Sequence, residues 1–296
     1  MKRKLALVCF AATAALIYQS CDYVINATPP GTASGTGTGT GSNIVYRKVL
    51  IEDYTGHKCG NCPAAARELH RLDSVYPGKI VPVAVHAGFY ANVTPTSSPP
   101  YPTDLRSQAG TDYDNFFGNS AFGNPNGLVN RTGYGTASLI KLWGDWATSA
   151  YSMMSQPADF KISISNTYNA GSNQVSTTIT TKAINAKTGT YNLVVVLTED
   201  SIVAEQIDYS RPSSSQYMNN YQFNHVLRGA INTSWGEQIV NSSIAAGDSV
   251  VKTYSNFQLS SSWKWNHCRI IAYVYDALTG STTQYEVLQA EEKELQ

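Results

Sequence analysis

Nowhere in this sequence do lysines and arginines gather into a run or a patch, and nothing in it points to nucleic acid. Beyond the first twenty residues there is no apolar stretch of membrane-spanning length. Five cysteines are present, yet no second cysteine pair and no close histidine pair stands beside Cys59 and Cys62, which argues against a zinc framework. His267 and Cys268 are adjacent, so on a strand they point to opposite faces and cannot share one ion. Neither a metal nor another cofactor is expected. Acidic residues are missing from the first twenty positions while Lys2, Arg3 and Lys4 are there, so a formal charge of zero for the whole chain means a slightly acidic mature one.

What those first residues do contain is an export signal. A basic start precedes an apolar run from Leu5 to Ile17, too short for a stable membrane anchor, and small polar residues follow. Ser20–Cys21 places a small residue directly before a cysteine, as at the sites where bacterial lipoproteins are cleaved and acylated, although Tyr18 and Gln19 are larger than usual there. Residues 1–20 are therefore read as a signal peptide and Cys21 as the lipidation site, with several acyl (palmitate-type) chains holding the protein on a membrane. Ordinary secretion is the alternative. Residues 21–43 are read as the lipidated N-terminus and a flexible Gly/Thr linker, since the stretch 27–42 holds Pro29–Pro30 and Gly-Thr repeats with no other apolar side chain larger than alanine to bury.

Export puts Cys59 and Cys62 where disulfides persist. Cys268 is left alone and reads as a small buried apolar side chain. The run IVYRKVLIED (44–53) suits a buried strand; a turn leads to the CxxC, Pro63 suits a first helical turn, and Ala66, Leu69, Leu72 and Val75 recur at helical spacing. KIVPVAVH (79–86) is a second strand, which completes a βαβ unit with its motif at the carboxyl end of the first strand. Further on, 104–117 suits a helix capped by Thr103, Pro125 precedes a short strand, and 136–155 suits a closing helix with Leu139, Leu142 and Trp146 inward. A proline there is where thioredoxin-like folds place a cis-proline beside the cysteines. From about Asp159 short β-branched runs and turn signals replace helices, as in Phe160–Ile162–Ile164 and YNLVVVLT (191–198), which predicts an antiparallel sandwich.

Several segments together resemble the twenty-eight-kilodalton outer-membrane protein family of Bacteroidetes lipoproteins. They are Val49–His57 with Cys59-Gly60-Asn61-Cys62-Pro63, then Pro125 with Leu128-Val129-Asn130-Arg131. Asn224-His225-Val226-Leu227-Arg228 with Trp235-Gly236-Glu237 and the tail Tyr285–Ala290 complete the set. The resemblance implies an outer-membrane lipoprotein with an α/β thioredoxin-like domain at 44–156 and an all-β immunoglobulin-like sandwich at 157–296. It implies no settled activity. With no acidic cluster after Cys21, a periplasm-facing lipoprotein is expected, surface exposure being the alternative.

The chemistry follows from the helix start. Unpaired N–H groups and the positive end of the dipole stabilise a thiolate at Cys59, the first and more exposed sulfur, and Cys62 one turn in resolves the mixed disulfide. His57 and Lys58 add positive character nearby. Asp53, six residues before Cys59, stands where thioredoxins carry a buried acid that assists proton transfer to the second cysteine; Glu52 is an equal rival, because register is not readable from one chain. The expected site is thus Cys59, Cys62, Pro125, Asp53 and His57, acting on protein thiols or disulfides of the envelope. Lys58 replaces the usual aromatic, Asn124 stands where a β-branched residue is common, and Gly60–Asn61 gives no redox direction. The rival reading is a non-catalytic envelope binding or adhesion protein in which Cys59–Cys62 is a structural disulfide. Tyr221, His225, Arg228, Trp235 and Glu237 are read as a strand pair with a solvated polar face and a packed Trp235, rather than as an interaction surface.

Overall fold

The computed structural model describes residues 44–296; the signal, Cys21 and the Gly-Thr tether lie outside the described residues. The run VLIEDYT forms strand β1 (Val49–Thr55), all seven residues buried, as expected of a central strand with both faces covered. Helix α1 (Cys62–Val75) starts with Pro63 in its first turn, and it buries Cys62, Ala65, Leu69 and Leu72. The apolar stripe is thus set one residue back from its predicted phase at Ala65, and Val75 is exposed. Burying a leucine of this kind contributes about 1.5–3 kcal/mol. Strand β2 (Ile80–His86) runs parallel to β1, and β3 (Asn126–Val129) antiparallel on the other side, followed by the short β4 (Lys141–Leu142).

Between β2 and β3, helix α2 (Gln108–Phe117) begins later than predicted. Ser107, not Thr103, caps it by accepting from the Gly110 amide at 3.1 Å. The closing helix α4 (Trp146–Met154) is also shorter than its sequence signal; Leu142 is exposed on β4 while Leu139 and Trp146 are buried. The four-residue α3 (Asn119–Phe122) lies between α2 and β3.

The second half is built from strands, with alternation visible in β5 (Phe160–Asn169) and β6 (Gln174–Ala183). Together with β12 (Ser249–Gln258) these make a three-stranded sheet. The remaining long strands, β7 (Lys187–Glu199), β10 (Val226–Ala230), β11 (Glu237–Ile244), β13 (Cys268–Asp276) and β14 (Val287–Glu294), do not form a second closed sheet of their own. They continue the first. The sheet runs β14-β13-β7-β10-β2-β1-β3-β4, with β11 also on β7. The weld is β10, which pairs antiparallel with β7 and, through Val226 against Ala84, parallel with β2. One apolar cluster on this sheet draws Leu50, Tyr54 and Val83 from the first half and Val196, Ile271 and Tyr273 from the second. The halves expected to meet near residue 156 therefore share a sheet and a core, and residues 44–296 belong to one compact unit.

The opposite face of the sheet is covered in two parts. Helices α1 and α4 pack on β1 through Val49, Ile51, Leu69 and Trp146. The three-stranded sheet packs on β7 and β13 through Phe160, Ile162, Val195 and Ile270. A separate hairpin of β8 (Ile202–Ile207) and β9 (Tyr217–Phe223) belongs to neither sheet.

Candidate functional site

The turn from β1 to α1 carries the motif. Its backbone closes on itself, the Cys59 amide donating to Gly56 O at 2.9 Å and the Cys62 amide to Cys59 O at 3.2 Å. Helix α1 begins at Cys62, so the positive end of its dipole stands at the cysteine pair, while the first-turn amides of Cys62 and Ala64 are already bonded to Cys59 O and Asn61 O and Pro63 has none. Cys59 and Cys62 are joined in a disulfide. Neither sulfur is open to solvent: Cys59 is 3% and Cys62 1% exposed. The expected exposure of Cys59 is thus not found, because the β8–β9 hairpin lies over the turn. Ile207 N donates to His57 O at 3.0 Å, Tyr209 N to Gly60 O at 2.8 Å and Gln206 Nε2 to Cys59 O at 3.0 Å.

Strand alternation separates the two acidic candidates. Glu52 turns to the shared core, where Arg131 Nε and Nη2 donate to its carboxylate at 2.7 and 2.6 Å. Arg131 is fully buried, donates to Tyr273 Oη at 2.8 Å, and stands over the Tyr113 and Phe117 rings at 4.6 and 5.1 Å. Glu52 is thereby used in structure. Asp53 turns the other way and lines, with Cys62 and Pro63, a cavity of about 170 Å³ bounded by α1, β1, β2 and the hairpin. It is 1% exposed, its Oδ1 has no partner, and burial pushes its pKa up to about 8. The carboxyl is accordingly protonated at neutral pH.

The cavity holds a residue that the sequence did not single out. His86, at the end of β2, is 2% exposed with neither ring nitrogen partnered, and burial lowers its pKa to about 3. Its ring meets Phe223 edge-on at 5.3 Å. Tyr221 and His225 also line this cavity. The other residues of that stretch go elsewhere: Arg228 pairs with Glu199 at 2.7 Å, Trp235 joins the aromatic cluster around Arg131, and Glu237 bonds Tyr254.

His57 is 1% exposed, with Nε2 against Asn92 O at 3.2 Å and its ring 5.0 Å from that of Tyr101. Burial lowers its pKa below the usual histidine value, so the positive character expected of it at neutral pH is absent. Lys58 sits over the Phe89 ring at 4.9 Å. The Asn124–Pro125 bond is cis. Because Asn126 pairs with Tyr54, the antiparallel register brings Pro125 to the carboxyl end of β1, where the motif turn departs. Asp53, Cys59, Cys62 and Pro125 thus converge on one end of β1. Cys268 is buried in the other half, its thiol pushed up to about 12 by burial. Among the described residues no group of three or more His, Cys, Asp or Glu could hold a metal ion, and no helix is long and apolar enough to cross a membrane.

Fold and site together define a mixed α/β protein, richer in strand than helix, with a covered disulfide at the start of a helix. A family model of outer membrane protein Omp28 matches residues 111–295, and the chain belongs to that family. The matched span includes Pro125, Arg131, His225 and Trp235 and begins after the cysteine pair. No curated protein matches. Among solved structures the chain is similar to HBP35 of Porphyromonas gingivalis, at 16% identity and a TM-score of 0.57 over 84% of this chain and 76% of that one. This likeness is one of fold. A protein AGR_C_4864 from Agrobacterium tumefaciens matches at 15% identity and a TM-score of 0.47, over 84% of this chain and 94% of that one.

Proposed function

We propose that this member of an outer-membrane family is anchored by lipid at Cys21, faces the periplasm, and performs thiol–disulfide exchange through a thioredoxin-like unit at 44–156, beside an immunoglobulin-like unit at 157–296. One observation carries the redox reading: the disulfide at the start of α1 shares a cavity with a buried, unpartnered carboxyl that is neutral at pH 7. In the oxidised chain a partner thiolate attacks Cys59 Sγ, the bond to Cys62 breaks, and Cys62 leaves as a thiolate. Asp53, still protonated, gives that sulfur its proton. A second partner thiolate then attacks the mixed disulfide at the partner's sulfur, and Cys59 leaves. The partner gains a disulfide, two electrons pass to the cysteine pair, and no further co-reactant is needed. The reverse sequence reduces a partner disulfide.

Reoxidation of reduced ribonuclease and reduction of insulin, run on the full chain beside Cys59→Ser, test this reading. Rates at background for both proteins would overturn it. Burial of both sulfurs favours a second reading, a static disulfide in a non-catalytic binding protein, and background rates are the result that reading requires. Anchoring is tested separately: Cys21→Ser is expected to move the protein from the membrane to the soluble fraction.

A further inference from the structure

An exchange reaction needs a third sulfur in line with the disulfide, and the hairpin denies that approach. Its covering segment is held on both flanks as well as over the motif. Asp208 pairs with Arg67 of α1 at 3.1 Å, and Glu205 accepts from Thr103 N and Oγ1 at 2.9 and 2.7 Å. Over the motif, Ile207 and Tyr209, two residues apart, donate their amides to the carbonyls of His57 and Gly60 in the motif turn, so main-chain bonds dock the segment on the motif. Gly60 permits this approach. A Cβ built there would lie 2.4 Å from the Tyr209 ring.

When the segment lifts, the carbonyls of His57 and Gly60 lose their donors beside a desolvated disulfide, and leaving them unpaired is costly. A small thiol brings no amide to replace them; an extended polypeptide does. We propose that residues 206–209 hold the place of a partner strand, and that the site's partner is an extended cysteine-bearing polypeptide that displaces them and donates its own alternate amides to His57 O and Gly60 O. The identity of this partner rests on the redox reading of the site, while the covering role does not. The hairpin is a two-stranded piece outside both sheets, and it can lift without breaking the main sheet.

The test uses the full chain and the variant Arg67→Ala/Glu205→Ala, which removes the two flanking attachments and leaves the motif untouched. The first readout is reduction of Cys59–Cys62 by a water-soluble phosphine, which needs access to the disulfide but no catalysis. The variant is expected to react at least about tenfold faster. Equal rates in variant and parent would overturn the covering role. If the variant folds poorly, Tyr209→Gly gives the same comparison. The second readout is mixed-disulfide formation at Cys59 in Cys62→Ser, with a cysteine peptide supplied as its thionitrobenzoate disulfide, so that Cys59 attacks the peptide sulfur and thionitrobenzoate leaves, and with its copy N-methylated at the two amides flanking the cysteine. The N-methylated copy is expected to react at least about tenfold more slowly, and equal rates would overturn the strand-replacement claim. Fast phosphine reduction of the loosened variant, with no reaction from any peptide or small thiol, would instead sink the redox reading and leave the cover standing.

Discussion

Glu52 and Asp53 are consecutive on β1, both nearly without solvent contact, and the fold handles them in opposite ways. On one face Arg131 grips the Glu52 carboxylate with two bonds and aromatic rings surround the cation. On the other face Asp53 meets no cation and opens onto a cavity with His86 and Cys62. A buried charge is tolerated when paired, and otherwise the group shifts its pKa and goes neutral. The first face therefore holds the two halves of the molecule together, and the second keeps a transferable proton next to a sulfur. Charge pairing marks structure on the first face, and its absence on the second leaves the proton that the proposed exchange uses.

The comparison breaks most easily at Glu52. Glu52→Gln leaves the Arg131 guanidinium buried without its counter-charge, and a loss of about 3–5 kcal/mol is expected in urea denaturation. Replacing both members, Glu52→Met with Arg131→Leu, should recover most of that loss. A single substitution that costs less than about 1 kcal/mol would mean that the pair is not the desolvated joint described above.

The Asp53 face answers to pH. Asp53 is protonated up to about pH 8 when folded but only to its ordinary 3.8 when unfolded, so between those values the folded chain holds the extra proton and stability falls as pH rises. His86 behaves inversely. It is neutral when folded down to about pH 3 but protonates at its ordinary 6.5 when unfolded, so its contribution is lost as pH drops through that window. His57, Arg228 and Asp104 act on it more weakly than burial does. From this pair alone, the two slopes cancel between about pH 4 and 6.5, and each acts alone outside that range. Stability is expected to decline by about 1.4 kcal/mol per unit from pH 6.5 to 8. Asp53→Asn should flatten that alkaline limb, and His86→Asn the acid limb below pH 4. An Asp53→Asn chain with the parent's alkaline slope would show that another group carries it. The same variant should slow disulfide exchange by about 100-fold, since Cys62 loses its proton donor.

The local half of this site is legible in sequence and the remote half is not. A cysteine pair, a proline in the first helical turn and two flanking β-branched runs all act within about thirty residues, and β1, α1 and β2 form where those signals place them. A residue or two of phase is harder to read, because the adjacent buried acids at 52 and 53 are told apart only once the faces of β1 are known. Nothing local links Cys59 to Gln206, which lies 147 residues on and reaches the motif only because β10 joins the second half's strands to β2. The same weld explains why a strand-rich second half, readable as a sandwich of its own, shares its sheet with the first. His86 has only its place at the end of an apolar run to recommend it, and that position acquires meaning when the hairpin closes a cavity over it.

The smallest effect tests how firmly the Asp53 face is closed. Arg131 and its rings are locked in a packed core, whereas Tyr209 lies on Gly60 with its side chain 55% exposed. Gly60→Ala would put a methyl 2.4 Å from that ring, but a half-exposed side chain can swing into water, so the loss of stability should stay below about 1 kcal/mol. The local consequence should be larger than the global one. With the ring displaced, the Tyr209 amide is drawn from Gly60 O, and its hydrogen exchange should quicken while the Leu128 and Asn130 amides beside β1 keep their protection. Exchange that quickens equally at all three positions would mean that the hairpin and the central sheet open as one unit, and the two faces of β1 would then not differ in how tightly they are held.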